Sequence, residues 1–445
     1  MSPRFSPAAA FLALCAIAAG VTACSSGPVL KDGPLPELGD TPAPGTAAPL
    51  PTVAWEKHLP GPPGLMALSD DGLRLYVALA GGMGGGSDAS HPRLCRVDTP
   101  SGDGPACVDL EAPARALEAL GTSGGGAVGW LRDGTLRAWS ADLKPLWNVK
   151  RDCVPRSLGG DPTVVACFRA DTGAATPNGA TDSSVGNAGT APRASGRPMP
   201  AGGPPDVELI RLADGASAGT YQFSAGSLSA WDASPASGAI LAGSSDGTVV
   251  LLDRKLRVEW SHKVDGAVTA AALTPDRAAV VAVSGIRSKV PGPRLVAFDH
   301  GGRESSGLAL PRHVASLRLE SGGQWAALFG AGPSGQWLGV AKLGKRPSLS
   351  YERELRRFAE FSPPPEVLGG DSWMAGLDLD PQGYVAAALS PEGRVLWYLS
   401  LPEGVEGYLL RARPGSSDKG PAPWRVYLAL EDGRLQAWQV PVSAK

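Results

Sequence analysis

Long apolar runs are almost absent from this chain. The stretch from Ala8 to Val21 is the longest, and nothing after it is comparable. A membrane-spanning helix needs about 20 consecutive apolar residues, so none is expected. An excess of one charge is lacking too: 41 Lys and Arg face 43 Asp and Glu, a net charge of −2. No basic block interrupts that balance, which argues against a nucleic-acid partner. Histidine is scarce, at His58, His91, His262, His300 and His313. None has the spacing of a zincin helix or a Cys–His zinc site, so no metal is expected. No nucleophile-elbow motif occurs. Helical periodicity is also missing, whereas Gly (59) and Pro (42) are abundant. Many short strands broken by turns imply an all-β fold.

The N-terminus carries a different signal. Arg4 precedes the apolar run, which is too short to span a bilayer but matches the core of a secretory signal. It ends at Val21-Thr22-Ala23-Cys24-Ser25. This motif resembles the bacterial lipobox. The resemblance implies that residues 1–23 are a signal peptide and that Cys24 becomes the acylated first residue, held in a lipid bilayer. Ser25 stands where inner-membrane retention signals usually place Asp. By that resemblance the outer membrane is expected, on its periplasmic face or at the cell surface. Residues 24–52 are rich in Pro, Gly and Ala and read as a flexible tether with a reach of ~30 Å.

With Cys15 and Cys24 set aside, four cysteines remain. An even number in an exported chain implies disulfides, and four allow three pairings. Cys95 and Cys107 lie symmetrically about a Gly-rich turn, as do Cys153 and Cys167. Each pair is expected to sit opposite itself across a hairpin, giving Cys95–Cys107 and Cys153–Cys167.

From Val53 onward the chain repeats. One element is a strand, a Ser/Pro/Asp/Gly turn and a second strand, as in Ala67-Leu68-Ser69-Asp70-Asp71-Gly72 and Ala272-Leu273-Thr274-Pro275-Asp276. A second element is an Asp-Gly turn, an aliphatic strand and a Trp-bearing strand, as in Asp246-Gly247-Thr248 followed by Trp260. Together they make a four-stranded propeller blade. The second element resembles the repeat of PQQ-like propellers, and the first resembles WD40-like and YVTN-like hairpins. Residues 53–445 are therefore expected to form a β-propeller of eight four-stranded blades, with seven as the alternative. Inner strands are expected near Gly64, Arg115, Pro155, Leu228, Val268, Val314, Met374 and Tyr408. The last blade lacks an outer strand, which the segment from Val53 to His58 is expected to supply. Asp171 to Asp206 is an insertion too polar to order itself, and is expected to be disordered.

Sites of chemistry are few. The Gly81–Ser87 loop lacks the Gly-Lys-Ser end of a phosphate loop. The Asp378–Gly383 segment fails as a calcium loop, because Leu389 stands at its twelfth position. The adjacent Cys–Cys pair of quinoprotein dehydrogenases is missing, so no quinone cofactor is expected. Aligned on the inner-hairpin turn, one position reads Ala67, Asp232, Ala272, Arg318, Asp378 and Arg411. Asp232, Arg318, Asp378 and Arg411 are thus candidates to line one channel mouth and bind a polar ligand.

The resulting expectation is a non-enzymatic, membrane-anchored scaffold for protein partners in the cell envelope. Lipobox, tether and PQQ-like repeats together resemble the BamB family of outer-membrane assembly, although the long insertion departs from that plan. A ligand-binding sensor or lactonase-like hydrolase is one alternative, and a surface adhesin or structural lipoprotein is another.

Overall fold

The structure is a computed structural model. It describes residues 51–440 apart from 70, 81–90, 122–124, 159–160, 162, 170–203, 235–236, 275, 286–290, 321, 333–334, 357–365, 369–371, 380–382, 391, 393, 401–407, 415–423 and 431. The signal segment, Cys24, the tether as far as Leu50 and most of the insertion lie outside the described residues.

The described residues form 32 strands, arranged as eight four-stranded antiparallel sheets. Blade 1 runs from Pro63 to Asp109, blade 2 from Ala114 to Lys150 and blade 3 from Cys153 to Tyr221. Blade 4 runs from Leu228 to Lys263, blade 5 from Val268 to Ala309, blade 6 from Ser316 to Arg356 and blade 7 from Glu366 to Ser400. Blade 8 combines Tyr408–Pro414, Trp424–Leu430 and Arg434–Val440 with Thr52–His58 as its outer strand. In that last pairing Thr52 faces Gln439 and His58 faces Arg434. The inner strand of blade 8 in turn contacts that of blade 1.

One expected strand is displaced. The inner strand of blade 7 is Glu366–Leu368, and Met374 lies on the second strand, Ser372–Leu379. The Pro-rich segment Ser362-Pro363-Pro364-Pro365 just before it hides this short strand from pattern reading.

Burial explains the sequence pattern within a blade. Second strands such as Gly126–Leu131 and Ile240–Ser244 are buried at every position, because a neighbouring blade covers each face. Outer strands alternate, as in Glu304–Ala309, because water reaches one side. The core is therefore made between blades. Phe168 of blade 3 stacks on Trp231 of blade 4 with ring centroids 3.7 Å apart.

A Trp–Gly lock joins alternate blades. Trp55, Trp147 and Trp260 lie on outer strands of blades 8, 2 and 4. Each ring covers a turn glycine of the next blade: Gly102, Gly215 and Gly302. The indole N–H of Trp55 donates to Thr99 O, and that of Trp147 to Leu212 O, both at 2.8 Å. At Gly302 φ is +74°, and a Cβ there would lie 2.5 Å from the Trp260 ring, so only glycine fits. Blades 1 and 3 carry no such Trp on their outer strands. The facing turns of blades 2 and 4 hold Leu143 and Leu256 instead, also at positive φ. Each leucine is buried in the preceding blade's core and fills the space that the indole fills elsewhere. Burying a leucine is worth about 1.5–3 kcal/mol, which offsets the roughly 1–2 kcal/mol of left-handed strain.

The two disulfides are Cys95–Cys107 and Cys153–Cys167. Cys95 faces Cys107 directly across the third and outer strands of blade 1. The second bond is diagonal rather than face to face: Cys153 faces Arg169, and Cys167 faces Pro155. Asp206, read from sequence as the end of the insertion, is instead buried. Its carboxylate accepts N–H bonds from Phe223 at 2.8 Å and Leu228 at 3.3 Å. It thereby links the outer end of blade 3 to the start of blade 4.

The Asp-Gly turns close the second-to-third connections. Asp133 accepts from the Thr135 hydroxyl at 2.7 Å and from Lys150 Nζ at 3.0 Å. Asp246 is bound the same way by Thr248 and Lys263. The Thr135 hydroxyl, followed by Lys150, lowers the Asp133 pKa from 3.8 to about 2.

Two outcomes follow. Gly302→Leu alone should destabilise the protein by more than about 2 kcal/mol. Adding Trp260→Ala should recover about 0.5–3 kcal/mol of that loss as coupling, measured by urea unfolding; strict additivity would sink the lock. For Asp133, the folded pKa lies below the unfolded one. Its contribution is thus present above about pH 4 and lost toward pH 2. The wild-type melting temperature should fall more steeply across that window than that of Asp133→Asn; parallel curves would contradict the assignment. The effect is modest because the carboxylate is partly exposed.

Candidate functional site

The innermost strand of each blade is a sheet edge facing the propeller axis, and an edge presents backbone groups that need partners. The next-to-last residue of this strand reads Ala67, Glu118, Arg156, Asp232, Ala272 and Arg318 in blades 1 to 6. The pairing register is equivalent throughout: Ala67 faces Tyr76, Glu118 faces Val128 and Asp232 faces Leu241, each on its own second strand.

Two carboxylates at this position act identically. Glu118 Oε1 accepts the Ser157 N–H at 2.9 Å, and Asp232 Oδ2 accepts the Leu273 N–H at 2.8 Å. Ser157 and Leu273 are the last residues of the next blade's inner strand. The carboxylate of one blade therefore caps the edge N–H of the next. Glu118 Oε2 also receives Arg156 Nη1 at 3.2 Å, with both side chains largely buried. Ser229 adds a complementary link, its hydroxyl donating to Val268 O at 2.7 Å.

The result is a charged belt, Glu118–Arg156–Asp232–Arg318. Burial pushes the Asp232 pKa up, and the charges of Arg318 and Arg156 draw it back only in part. Of the residues singled out from sequence, Asp232 and Arg318 are thus brought together. Arg411 lies on the inner strand of blade 8 opposite Tyr427, which matches Ala67 opposite Tyr76. Asp378 does not join them. It sits on the second strand of blade 7, opposite Tyr384, because the inner strand there is Glu366–Leu368. Cys24 lies outside the described residues.

Glu118 and Arg156 were missed in the sequence. After the inner strands of blades 2 and 3 the sequence reads Gly121-Thr122-Ser123-Gly124 and Gly159-Gly160-Asp161. Neither carries the Ser-Pro-Asp-Gly signature on which the other units align. The usable signal is the distance from each inner strand's end. Among the described residues, no three His, Cys, Asp or Glu side chains gather as a metal site would require.

No family model matches the chain, and no curated protein matches its sequence. Solved structures do match. BamB from Moraxella catarrhalis is similar over 88% of this chain and 100% of its own, at 15% identity and a TM-score of 0.51. The Dos1 propeller is similar over 87% and 95%, at 10% identity and a TM-score of 0.58. Sqt1 from Chaetomium thermophilum, solved bound to the N-terminus of ribosomal protein L10, is similar over 86% and 98%, at 14% identity and a TM-score of 0.53. At these identities the likeness shows a shared fold, the β-propeller.

The belt makes a signed prediction. A carboxyl whose folded pKa is raised favours the fold when protonated, and that advantage is lost as pH rises through the raised pKa. Asp232→Asn keeps an acceptor for Leu273 N–H but does not ionise. The stability of wild type relative to Asp232→Asn should therefore fall as pH rises from about 3 to 7. Paired chemical denaturation across that range checks it, and a constant difference would remove Asp232 from the belt's electrostatics.

Proposed function

We propose that this chain is a lipid-anchored scaffold of the bacterial cell envelope, without enzymatic activity or quinone cofactor, that binds protein partners. One observation carries the reading: the propeller is similar, over most of this chain, both to BamB and to a propeller solved with a partner's terminal segment bound. Propellers suit docking because rigid blades hold variable loops on two faces. Two disulfides support an oxidising, extracytoplasmic setting. The lipobox at Cys24 supports acylation, and Ser25 supports the outer membrane over the inner. The axial carboxylates Glu118 and Asp232 are occupied by backbone donors, which favours docking over a channel-bound ligand. Work in outer-membrane protein assembly is the process this combination fits best.

The test is crosslinking in intact cells with a tag after Lys445 and a Cys24→Ala form alongside. Wild type should incorporate labelled palmitate, fractionate with outer membranes and crosslink to barrel proteins or their assembly factors. Cys24→Ala should lose the label and most of the crosslinks. Equal fractionation and labelling of the two forms would overturn the anchor, and a wild type that crosslinks to no envelope protein would overturn the scaffold.

A further inference from the structure

The turns of each blade divide between two faces of the ring. Four antiparallel strands in sequence order put the first-to-second and third-to-outer turns at one end, and the second-to-third turn at the other. The start of an outer strand therefore marks the first of these faces. In blade 8 that start is Thr52, so the chain enters the ring there. Leu73 O accepts the Thr99 N–H at 3.0 Å, and Thr99 O accepts the Trp55 indole N–H at 2.8 Å. These bonds tie an inner turn, an outer turn and the entering strand together on this entry face.

Among the described residues five large apolar side chains are exposed: Val53, Leu73, Leu146, Val258 and Leu396, at between 38% and 52% of their surface. All five lie on the entry face. Leu73 sits in the first-to-second turn of blade 1. Val53, Leu146, Val258 and Leu396 are each the first or second residue of an outer strand, in blades 8, 2, 4 and 7. One exposed aliphatic residue needs no explanation, but their confinement to a single face does.

The same face carries unpaired cations. The third-to-outer turns of blades 4, 5 and 6 expose Lys255 and Arg257, then Arg303, then Lys345 and Arg346. Among the described residues none of these five forms an ion pair. The acids of the same turns are occupied by backbone. Asp253 Oδ1 accepts the N–H groups of Lys255 and Arg257 at 2.8 and 2.9 Å. Asp299 Oδ1 accepts those of Gly301 and Arg303, both at 2.9 Å. Nearby Glu259 is paired with Arg277, and Asp276 accepts the Thr274 hydroxyl. Glu304, exposed at the start of the blade 5 outer strand, opposes the cations only locally. The buried Leu256 and the Trp260-covered Gly302 fix the backbone of two of these turns.

Exposed aliphatic groups beside unpaired cations suit an anionic phospholipid surface. The first enter the boundary between headgroups and acyl chains, and the second gain from the negative surface potential. The chain's path supplies the placement: a tether of ~30 Å reach from Cys24 delivers the ring by this face.

We propose that the entry face lies against the membrane. Val53, Leu146, Val258 and Leu396 enter the interface, and the arc from Lys255 to Arg346 binds anionic phospholipid headgroups. The inference rests on the lipid anchor of the proposed function and deepens it by orienting the ring. The opposite face is left open to protein partners.

The experiment is vesicle co-sedimentation of the chain from residue 24 onward, carrying Cys24→Ala and both disulfides, so that no acyl chain contributes. Vesicles of equal parts phosphatidylcholine and phosphatidylglycerol should bind it at least about tenfold more tightly than phosphatidylcholine alone. Lys255→Glu and Lys345→Glu should each weaken binding at least about fivefold. Leu146→Ser, an exposed change, should weaken it at least about threefold. Arg132→Glu makes the same charge change in an exposed second-to-third turn of blade 2, on the opposite face, and should leave binding unchanged. Failure to bind the anionic vesicles, equal binding to both vesicles, or a loss with Arg132→Glu equal to that with Lys255→Glu would each overturn the proposal. If vesicle binding ignores Lys255→Glu and Lys345→Glu while both remove a protein crosslink in cells, the face is a protein-docking surface and the membrane assignment falls. If wild type incorporates palmitate but the Cys24→Ala chain ignores anionic vesicles, the anchor stands and the orientation falls. If the vesicles bind as expected but no palmitate is incorporated, the face stands and the anchor falls.

Discussion

A four-stranded antiparallel sheet has two faces, and in this protein each is covered by another blade. That constraint shapes the rest. It buries second strands such as Gly126–Leu131 at every position, whereas outer strands keep an exposed side. It also makes no blade stable alone, since Phe168 finds its stacking partner in blade 4 and Leu256 finds its pocket in blade 3. A chain under this constraint must deal with its seam, where the first and last blades meet. Here Thr52–His58 completes blade 8, and its Trp55 reaches over Gly102 of blade 1 with the same lock used at Gly215 and Gly302. Arg425 of blade 8 adds a bond to the same Thr99 carbonyl that Trp55 uses. The seam is therefore built like an internal joint.

The lock comes in two versions, and their alternation reflects packing volume. Where the preceding outer strand supplies an indole, the turn must be glycine, because a Cβ would collide with the ring. Where the outer strands of blades 1 and 3 supply none, a leucine at positive φ occupies the gap. Blades 2 and 4 take the leucine, and blades 1, 3 and 5 the glycine. Each choice is satisfactory only with its partner, so the outer strand of one blade and the turn of the next behave as one unit.

Fold class, blade number and disulfide pairing were legible because local signals carry them: turn chemistry, strand alternation and cysteines placed symmetrically about a turn. What escaped depended on register or on distant partners. The short strand Glu366–Leu368 has no alternation to betray it, so Asp378 was placed one strand too far in. Glu118 and Arg156 fell in units with atypical turns. Asp206 looked like the end of a polar insertion because nothing local shows that Phe223 and Leu228 need their N–H groups satisfied. The diagonal geometry of Cys153–Cys167 depends on register, which symmetry about a turn does not specify.

The buried carboxylates are defined by what they hold. Glu118 and Asp232 accept N–H groups of Ser157 and Leu273 on the next blade's inner strand, at 2.9 and 2.8 Å, and so seal a strand edge that faces the axis. Away from the axis Asp206 holds the N–H groups of Phe223 and Leu228, and Glu208 pairs with Arg151 at 3.1 Å. A buried carboxylate needs partners that offset its lost hydration, and backbone N–H groups at a joint need acceptors. Each therefore satisfies the other, and the inner joints between blades are held by polar pairing where the outer ones are held by indole and leucine packing.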